Sequence, residues 1–252
     1  MKTETLHIIT GLPRTGSSVI ANILKQNPEI HSEVNSSLPS LIGGLHANWS
    51  AITNGDSLDK KSSVLRGIIE GFYSNISQPV VFDRSINWVP LIPQLEAILQ
   101  REVKILVCVR NPAEILTSFE KSRKENPLAV SEADQQLKST GSSIASRAFH
   151  YAGPDGALGT SHRNIKDAVT MGYLDRMLFV DYGRYCSSPK SQTKRIYDFF
   201  KLPEFTHDFT NITGDNMGTR NELIKTTVNC VEYLGLDLYE QYNREIFWTA
   251  WV

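Results

Sequence analysis

The stretch GLPRTGSS, residues 11–18, constrains the fold of this chain more than any other. It follows the apolar run LHIIT and precedes the amphipathic segment SSVIANILKQN, an order typical of a strand, a glycine turn and a helix. Gly11 and Gly16 have the spacing of a phosphate-binding loop, and Ser18 occupies its final hydroxyl position. Backbone N–H groups and the dipole of the following helix make such a turn a site for anions. The sequence therefore predicts a phosphate-binding loop between a buried strand and a helix.

Four apolar runs predict strands that are buried on both faces of a sheet. They cover residues 6–10, 79–83, 103–109 and 176–181. Amphipathic segments separate these runs, and the alternation favours parallel strands connected by helices. We therefore expect one α/β domain over residues 1–252, with a P-loop-like, doubly wound and mostly parallel central sheet flanked by helices.

Five segments have the periodicity of amphipathic helices. They are residues 17–27, 62–76, 89–100, 111–124 and 187–202. The fourth also has a start signal, because Asn111 is a capping residue, Pro112 suits the first helical position and Glu114 completes a capping box. Residues 34–60 and 120–160 lack such patterns, and we interpret them as irregular excursions that form binding surfaces.

Charge balance, cysteine spacing and the length of the apolar stretches limit which partners and which compartment we expect. Acidic and basic residues nearly cancel, 27 against 26, which does not indicate the basic surface typical of nucleic-acid-binding proteins. Cys108, Cys186 and Cys230 have no metal-ligand spacing and imply no disulfide framework, which favours a reducing cytoplasm. No stretch of the sequence approaches the roughly 18 apolar residues of a membrane span. We expect a cytoplasmic protein with no nucleic-acid partner, no membrane partner and no bound metal.

The loop departs from the ATP- and GTP-binding pattern at one position. Ser17 stands where that pattern has lysine, and Arg14 supplies a cation upstream of the second glycine. In kinases and ATPases the lysine and a magnesium ion neutralise charge on the phosphates. A sulfuryl group carries less charge than a phosphoryl group, so arginines, hydroxyls and backbone amides suffice for its donor. The pattern therefore favours sulfuryl transfer over phosphoryl transfer.

A second constellation follows the third predicted strand. Arg110 ends the run KILVCVR, and Ser118 lies eight residues on, about two helical turns along the next helix. Ligands of open α/β sheets bind at the carboxyl ends of the strands, where Arg110 is expected. An arginine and a serine in this arrangement can hold a second phosphate.

With these two motifs the sequence resembles the sulfotransferases that use 3′-phosphoadenosine 5′-phosphosulfate (PAPS), and looks closest to a bacterial-type group of small enzymes. The resemblance extends through VVFDRSINW, ILVCVRNPAEILTSFEK and IYDFF to the terminal REIFW. It assigns the 3′-phosphate to Arg110 and Ser118. The residues that it implies for the 5′-phosphosulfate are Pro13, Arg14, Thr15, Gly16, Ser17 and Ser18. It also implies that the product is PAP, the desulfated nucleotide, and that the transfer needs no metal.

The resemblance further implies the catalytic residues. Arg84, where related enzymes usually have lysine, is expected to contact the sulfuryl group and to stabilise charge on the bridging oxygen. Glu33 is our first candidate for the general base, since some sulfotransferases have a glutamate after the corresponding helix. Asp83, which is expected to lie closer to the sulfuryl group, is the second candidate, and His31 is the third.

Three further assignments complete the expected site. His162 occupies the position where related enzymes offer an aromatic ring to adenine. The late segment 214–225, with Gly218 and Arg220, is the candidate loop that closes over the donor. The aromatic candidates for an acceptor pocket are Trp49, Trp88 and Phe149, although aromatic residues are more often part of a core.

Two other functions stay open from the sequence alone. A small-molecule kinase that uses ATP and magnesium needs the missing lysine, although Asp83 can supply an acidic metal ligand. A non-catalytic nucleotide-binding module would keep the phosphate motifs without the chemistry. For a sulfotransferase, we expect the acceptor to be a hydroxyl or amine of a small molecule or glycan. The sequence identifies neither the acceptor nor the oligomeric state.

Overall fold

A parallel sheet forms the frame of the fold. The structure, a computed structural model, describes residues 6–54, 57–126, 128, 135, 143–214, 223 and 229–243. The strands within these residues are β1, Leu6–Gly11; β2, Ile30–Glu33; β3, Val80–Arg84; β4, Ile105–Val109; and β5, Met177–Asp181. They pair in parallel in the order β2-β3-β1-β4-β5. The four predicted strands are thereby confirmed.

The strand β2 is the one that the sequence analysis did not predict. It has four residues, IHSE, and alternates buried with half-buried side chains instead of forming a continuous apolar run. This alternation is possible because β2 lies at the edge of the sheet and pairs with β3 alone. The strand puts Glu33 at the carboxyl edge of the sheet, in register with Asp83 of β3.

Helices lie in the connections between the strands and also follow the last strand. They are α1, Ser17–Leu24; α2, Leu38–Thr53; α3, Leu58–Phe72; α4, Ile92–Leu99; α5, Pro112–Glu125; α6, Ile144–Ala152; α7, Ala157–Thr170; α8, Tyr182–Ser187; α9, Pro189–Phe200; α10, Cys230–Leu234; and α11, Leu236–Tyr242. Short 3₁₀ helices cover Ile86–Leu91 and Leu174–Arg176. The helices α1, α3, α4, α5 and α9 confirm the five predicted segments.

The expectation of irregular structure at 34–60 and 120–160 is wrong for much of their described part. The helix α2 fills most of the first segment, and α6 with the start of α7 lies in the second. The helix α2 was not predicted from the sequence because Gly43 and Gly44 are poor helix formers. Burial of Ile42 and Trp49 stabilises the helix instead, since most helical stability in proteins comes from packing.

The two faces of the sheet are both covered, which confirms the predicted doubly wound architecture. Ile8 of β1 belongs to a core shared with α2, α3, α4, α5 and α7, whereas its neighbour Ile9 belongs to a core shared with α1 and α9. From β1 the chain builds β2 and β3 on one side and then crosses to β4 and β5 on the other. The carboxyl ends of the strands beside β1 are therefore the expected position of a ligand.

Candidate active site

The turn between β1 and α1 has the backbone of a phosphate-binding loop. Gly11 has φ 139°, and a Cβ there would lie 1.9 Å from the carbonyl oxygen of Cys108 on β4. Gly16 has φ 71° and precedes α1, and a Cβ there would lie 2.1 Å from the ring of Tyr182. Both positions therefore require glycine. The Thr15 hydroxyl donates to the Leu12 carbonyl oxygen at 2.8 Å and holds the turn together.

The open end of α1 faces this turn. Its cap residue, Gly16, has no side chain that can accept from the first N–H groups of the helix. Ser17 and Ser18 are the first two residues of the helix, and Pro13 lies in the turn before it. Unpaired N–H groups with hydroxyls beside them suit an anionic ligand.

Arg84 lies beside the same helix end. Its Nε donates to Ser17 Oγ at 3.0 Å, and its Nη1 donates to the Val34 carbonyl oxygen at 3.1 Å. Arg84 is the last residue of β3 and lies in register with Ile9 of β1. Burial lowers the pKa of Arg84, but a guanidinium stays charged at any physiological pH. A cation is thus held at the first turn of α1.

The two sequence motifs for phosphates meet through Arg14. Arg14 Nε donates to Ser118 Oγ on α5 at 3.1 Å, and the Arg14 carbonyl oxygen accepts from Arg110 Nη1 at 3.2 Å. Arg14 has φ 59°, a conformation that residues with a side chain adopt infrequently. The left-handed turn and these two hydrogen bonds bring residues from the loop, from the end of β4 and from α5 into one cluster.

The guanidinium of Arg110 is held by a hydrogen bond and by a contact with an aromatic ring. Its Nε donates to Glu114 Oε2 at 2.8 Å, and its central carbon lies 5.2 Å from the centre of the Tyr182 ring. The predicted cap of α5 is confirmed, because Asn111 Oδ1 accepts from the Ala113 N–H at 2.9 Å. The predicted role of Glu114 in that cap is corrected, because its carboxylate accepts from Arg110 instead.

Asp83 is a buried acceptor within the core. It is fully buried and accepts hydrogen bonds from the Tyr73 hydroxyl, from Ser36 Oγ at 2.7 Å and from Trp88 Nε1 at 2.6 Å. Burial, the largest cause, raises its pKa to about 6, although the three hydrogen bonds oppose the shift. A carboxylate with these partners anchors β3, the 3₁₀ helix that follows it and the end of α3.

Glu33 is the more accessible carboxylate at this edge of the sheet. Its side chain is 34% exposed, and its Oε2 lies 3.5 Å from Nε2 of His31, which is on the same face of β2. Burial is the largest cause that lowers the pKa of His31, which favours the neutral imidazole. The next residue, Val34, contacts Arg84 through its carbonyl oxygen. Because Glu33 is in register with Asp83, its side chain lies on the Tyr73 face of the sheet, opposite to the face from which Arg84 reaches α1.

The other residues predicted for the site differ in their burial. His162 is half-buried on α7, and burial lowers its pKa. Trp88 is fully buried and Trp49 is 5% exposed, so both belong to the core, and their assignment to an acceptor pocket is corrected. Phe149 is 71% exposed on α6. Gly218 and Arg220 of the late loop lie outside the described residues.

Sequence reasoning missed Tyr182, which contacts both phosphate motifs. It follows β5 directly, so a search for residues just beyond the predicted strand ends would have found it. Among the described residues no cluster of three or more His, Cys, Asp or Glu is arranged to hold a metal ion. The helices in the described part of the chain also lack the length and apolar character needed to cross a membrane.

Known proteins share this architecture. The family model of the sulfotransferase domain matches residues 4–229 of the chain. Among curated protein sequences, no relative matches at a significant level.

Solved structures with the same fold are distant in sequence. The sulfotransferase domain from the curacin biosynthetic pathway is 14% identical with a TM-score of 0.62, over 96% of this chain and 98% of that one. A mouse sulfotransferase complexed with PAP is 14% identical with a TM-score of 0.56, over 96% and 86%. The sulfotransferase from Alicyclobacillus acidocaldarius is 13% identical with a TM-score of 0.52, over 98% of both chains. Likeness at these identities concerns the fold alone.

Proposed function

Because the chain belongs to the sulfotransferase family, we propose that it moves the sulfuryl group of PAPS to a hydroxyl or amine acceptor. The observation that carries this proposal is the cluster in which Arg14 contacts both Ser118 and Arg110. A donor with phosphates at both its 5′ and 3′ positions needs two anion sites within one nucleotide of each other. The meeting of the two motifs supports such a donor, and the mouse protein of the same fold is complexed with PAP.

The 5′-phosphosulfate is assigned to the turn before α1. Its ligands in this proposal are the first N–H groups of α1, the hydroxyls of Ser17 and Ser18, and the backbone of residues 13–16. Arg14 belongs to both sites, since its main chain is in the turn and its guanidinium reaches Ser118 of the 3′ site. Charged donors of this kind form hydrogen bonds about twice as strong as neutral ones.

Arg84 is the proposed electrostatic catalyst. It contacts Ser17 at the end of α1, where the bridging oxygen between phosphorus and sulfur would lie. As the acceptor bonds to sulfur, the bond from sulfur to the bridging oxygen breaks, and PAP leaves with that electron pair. Arg84 stabilises the negative charge that grows on the bridging oxygen. Its pKa is too high for proton donation, so it acts through charge alone.

Glu33 is the proposed general base that takes the proton of the acceptor. Its partial exposure supports this choice over Asp83, which is fully buried and accepts three hydrogen bonds. Neutral His31 lies on the same face of β2, with Nε2 3.5 Å from the Glu33 carboxylate. We assign Asp83 to the support of β3 and keep His162 as the proposed neighbour of adenine.

The rival kinase function lacks support at the decisive position. Ser17 Oγ accepts from Arg84 Nε where a kinase loop would present lysine.

The proposed acceptor is a small molecule or a glycan. A cytoplasmic location agrees with the free thiols of Cys108, Cys186 and Cys230, since thiols are kept reduced there.

Transfer itself tests the proposal. The protein is incubated with PAPS and pools of small-molecule and glycan acceptors in a chelating buffer, and mass spectrometry follows the products. The expected result is an acceptor that gains one SO₃ group while an equal amount of PAP appears. Phosphorylated product from ATP and magnesium, with no sulfated product from PAPS, would support the kinase instead.

A further inference from the structure

Tyr182 is the residue where β5 passes into α8. The turn is fixed because Asp181 Oδ1 accepts from the Arg184 N–H at 2.9 Å and caps α8. Tyr182 itself is buried at this turn, with 8% of its surface exposed. The ring therefore lies at the carboxyl edge of the sheet, beside the ends of β1 and β4.

One ring contacts both phosphate motifs. It packs so closely against Gly16 that a Cβ there would lie 2.1 Å from Tyr182 Cε2. The ring also faces the guanidinium of Arg110, whose central carbon is 5.2 Å from the ring centre. Gly16 belongs to the loop assigned to the 5′-phosphosulfate, and Arg110 is the cation assigned to the 3′-phosphate.

We infer that Tyr182 is a positioning residue. By holding Arg110 in a fixed orientation against the 5′ loop, it increases the affinity that the 3′-phosphate of the donor contributes. The inference rests on the proposed function. It does not require Tyr182 to contact the nucleotide, because the ring acts through Arg110 and Gly16.

The physical reason is the shape of a guanidinium. Hydrogen bonds to Glu114 and to the Arg14 carbonyl act on the N–H groups of Arg110. The contact between the cation and the ring of Tyr182 further restricts the orientation of the guanidinium. Arg110 is 4% exposed, so the attraction between cation and ring is little screened by water. An arginine already oriented loses less entropy when a phosphate binds.

The test measures how much the 3′-phosphate adds to affinity. The probes are PAP and adenosine 5′-monophosphate, which differ by the 3′-phosphate alone, and the readout is the ratio of their dissociation constants. Tyr182→Phe keeps the ring and should leave the ratio within about twofold of wild type, because the cation contacts the ring face. Tyr182→Leu removes the face and should reduce the ratio about three- to thirty-fold.

A second variant separates the ring electrostatics from packing. Trifluorophenylalanine at position 182 keeps the shape of phenylalanine but withdraws electrons from the ring face. It should reduce the ratio by several-fold relative to Tyr182→Phe, with an unchanged melting temperature. This comparison also holds if Tyr182→Leu fails to fold.

The outcomes distinguish this inference from the function on which it rests. If Arg110→Ala removes the preference for PAP while the fluorinated ring and Tyr182→Leu leave it intact, Tyr182 has no positioning role. If Tyr182→Leu weakens both nucleotides equally, the ring is structural and the inference is wrong. A wild-type protein without preference for PAP would overturn the proposed 3′-phosphate site, and this inference with it.

Discussion

Asp83 and Arg84 are chain neighbours at the end of β3, and their side chains have different surroundings. Successive side chains of a strand point to opposite faces, so Asp83 enters the core with Tyr73 and Trp88 while Arg84 reaches the start of α1. The sequence places both residues at a strand end without revealing which face each occupies. This distinction decides which of the two can contact a ligand at the loop.

Arg84→Ala should separate binding from catalysis. If Arg84 stabilises charge that develops during transfer, its loss appears in the turnover rate rather than in affinity. We expect turnover to fall about 10²–10³-fold while PAP affinity changes by less than about threefold. Arg84→Lys is the matched control, and it should retain more turnover than alanine because it keeps the charge. Equal loss of PAP affinity and turnover in Arg84→Ala would mean that the residue binds the ground state.

The two carboxylates should respond differently to loss of charge. Glu33→Gln keeps the shape but cannot take a proton, so turnover should fall about 10²–10⁴-fold with unchanged thermal stability. Asp83→Asn should affect stability instead. If Asp83→Asn abolishes turnover in a folded protein and Glu33→Gln leaves it intact, the assignment of the base is wrong.

The pH dependence of unfolding checks the assignment of Asp83 independently. Its folded-state pKa is raised to about 6 from the ordinary value of 3.8, so between these values the folded protein holds a proton that the unfolded chain releases. The contribution of this group to stability is therefore full below pH 4 and is lost as the pH rises to 6. The stability of wild type relative to Asp83→Asn should fall by about 1–3 kcal/mol across this window, measured by denaturant unfolding.

At the scale of elements, four strands and five helices follow from apolar runs and helical periodicity. The strand β2 was not predicted because a short edge strand needs only one buried face and so lacks a continuous apolar run. The helix α2 was not predicted because its glycines weaken the helical pattern. The phosphate loop was predictable because glycine at positive φ leaves a signature in the sequence. The orientation of Glu33 was not predictable, since it depends on the pairing of β2 with β3.

Gly16→Ala tests the loop as an element. Alanine would have to adopt φ 71°, which is unfavourable for a residue with a side chain, and its Cβ would clash with the ring of Tyr182. We expect a loss of about 2 kcal/mol or more in unfolding free energy and a loss of PAP binding.

The matched control for this loop variant is Gly67→Ala on α3, where a Cβ meets nothing within 4 Å. Alanine should there stabilise the helix by about 0.5–1 kcal/mol and leave PAP binding unchanged. Normal PAP binding by a folded Gly16→Ala protein would contradict the proposed role of the loop.

At the scale of the whole molecule, a buried ion pair ties α5, which carries Ser118, to α6. Arg147 Nε and Nη2 donate to the two carboxylate oxygens of Glu120 at 2.7 and 2.6 Å. The two residues are 2% and 4% exposed. Arg147→Met should destabilise the fold by about 3–5 kcal/mol, since it leaves a buried carboxylate without its partner. The double variant with Glu120→Leu should recover most of this loss in denaturant unfolding. A double variant as unstable as the single one would argue against unpaired charge as the cause.

The measurement that tests the account most directly is calorimetric titration of the wild-type protein and of Arg110→Ala with PAP and with adenosine 5′-phosphosulfate, in a chelating buffer. The wild type should bind PAP with a dissociation constant of about 10 μM or lower. Arg110→Ala should weaken PAP about ten- to a hundredfold and adenosine 5′-phosphosulfate much less, because the latter lacks the 3′-phosphate that Arg110 is proposed to hold. Equal weakening of both ligands, or binding of ATP and magnesium without binding of PAP, would contradict the account.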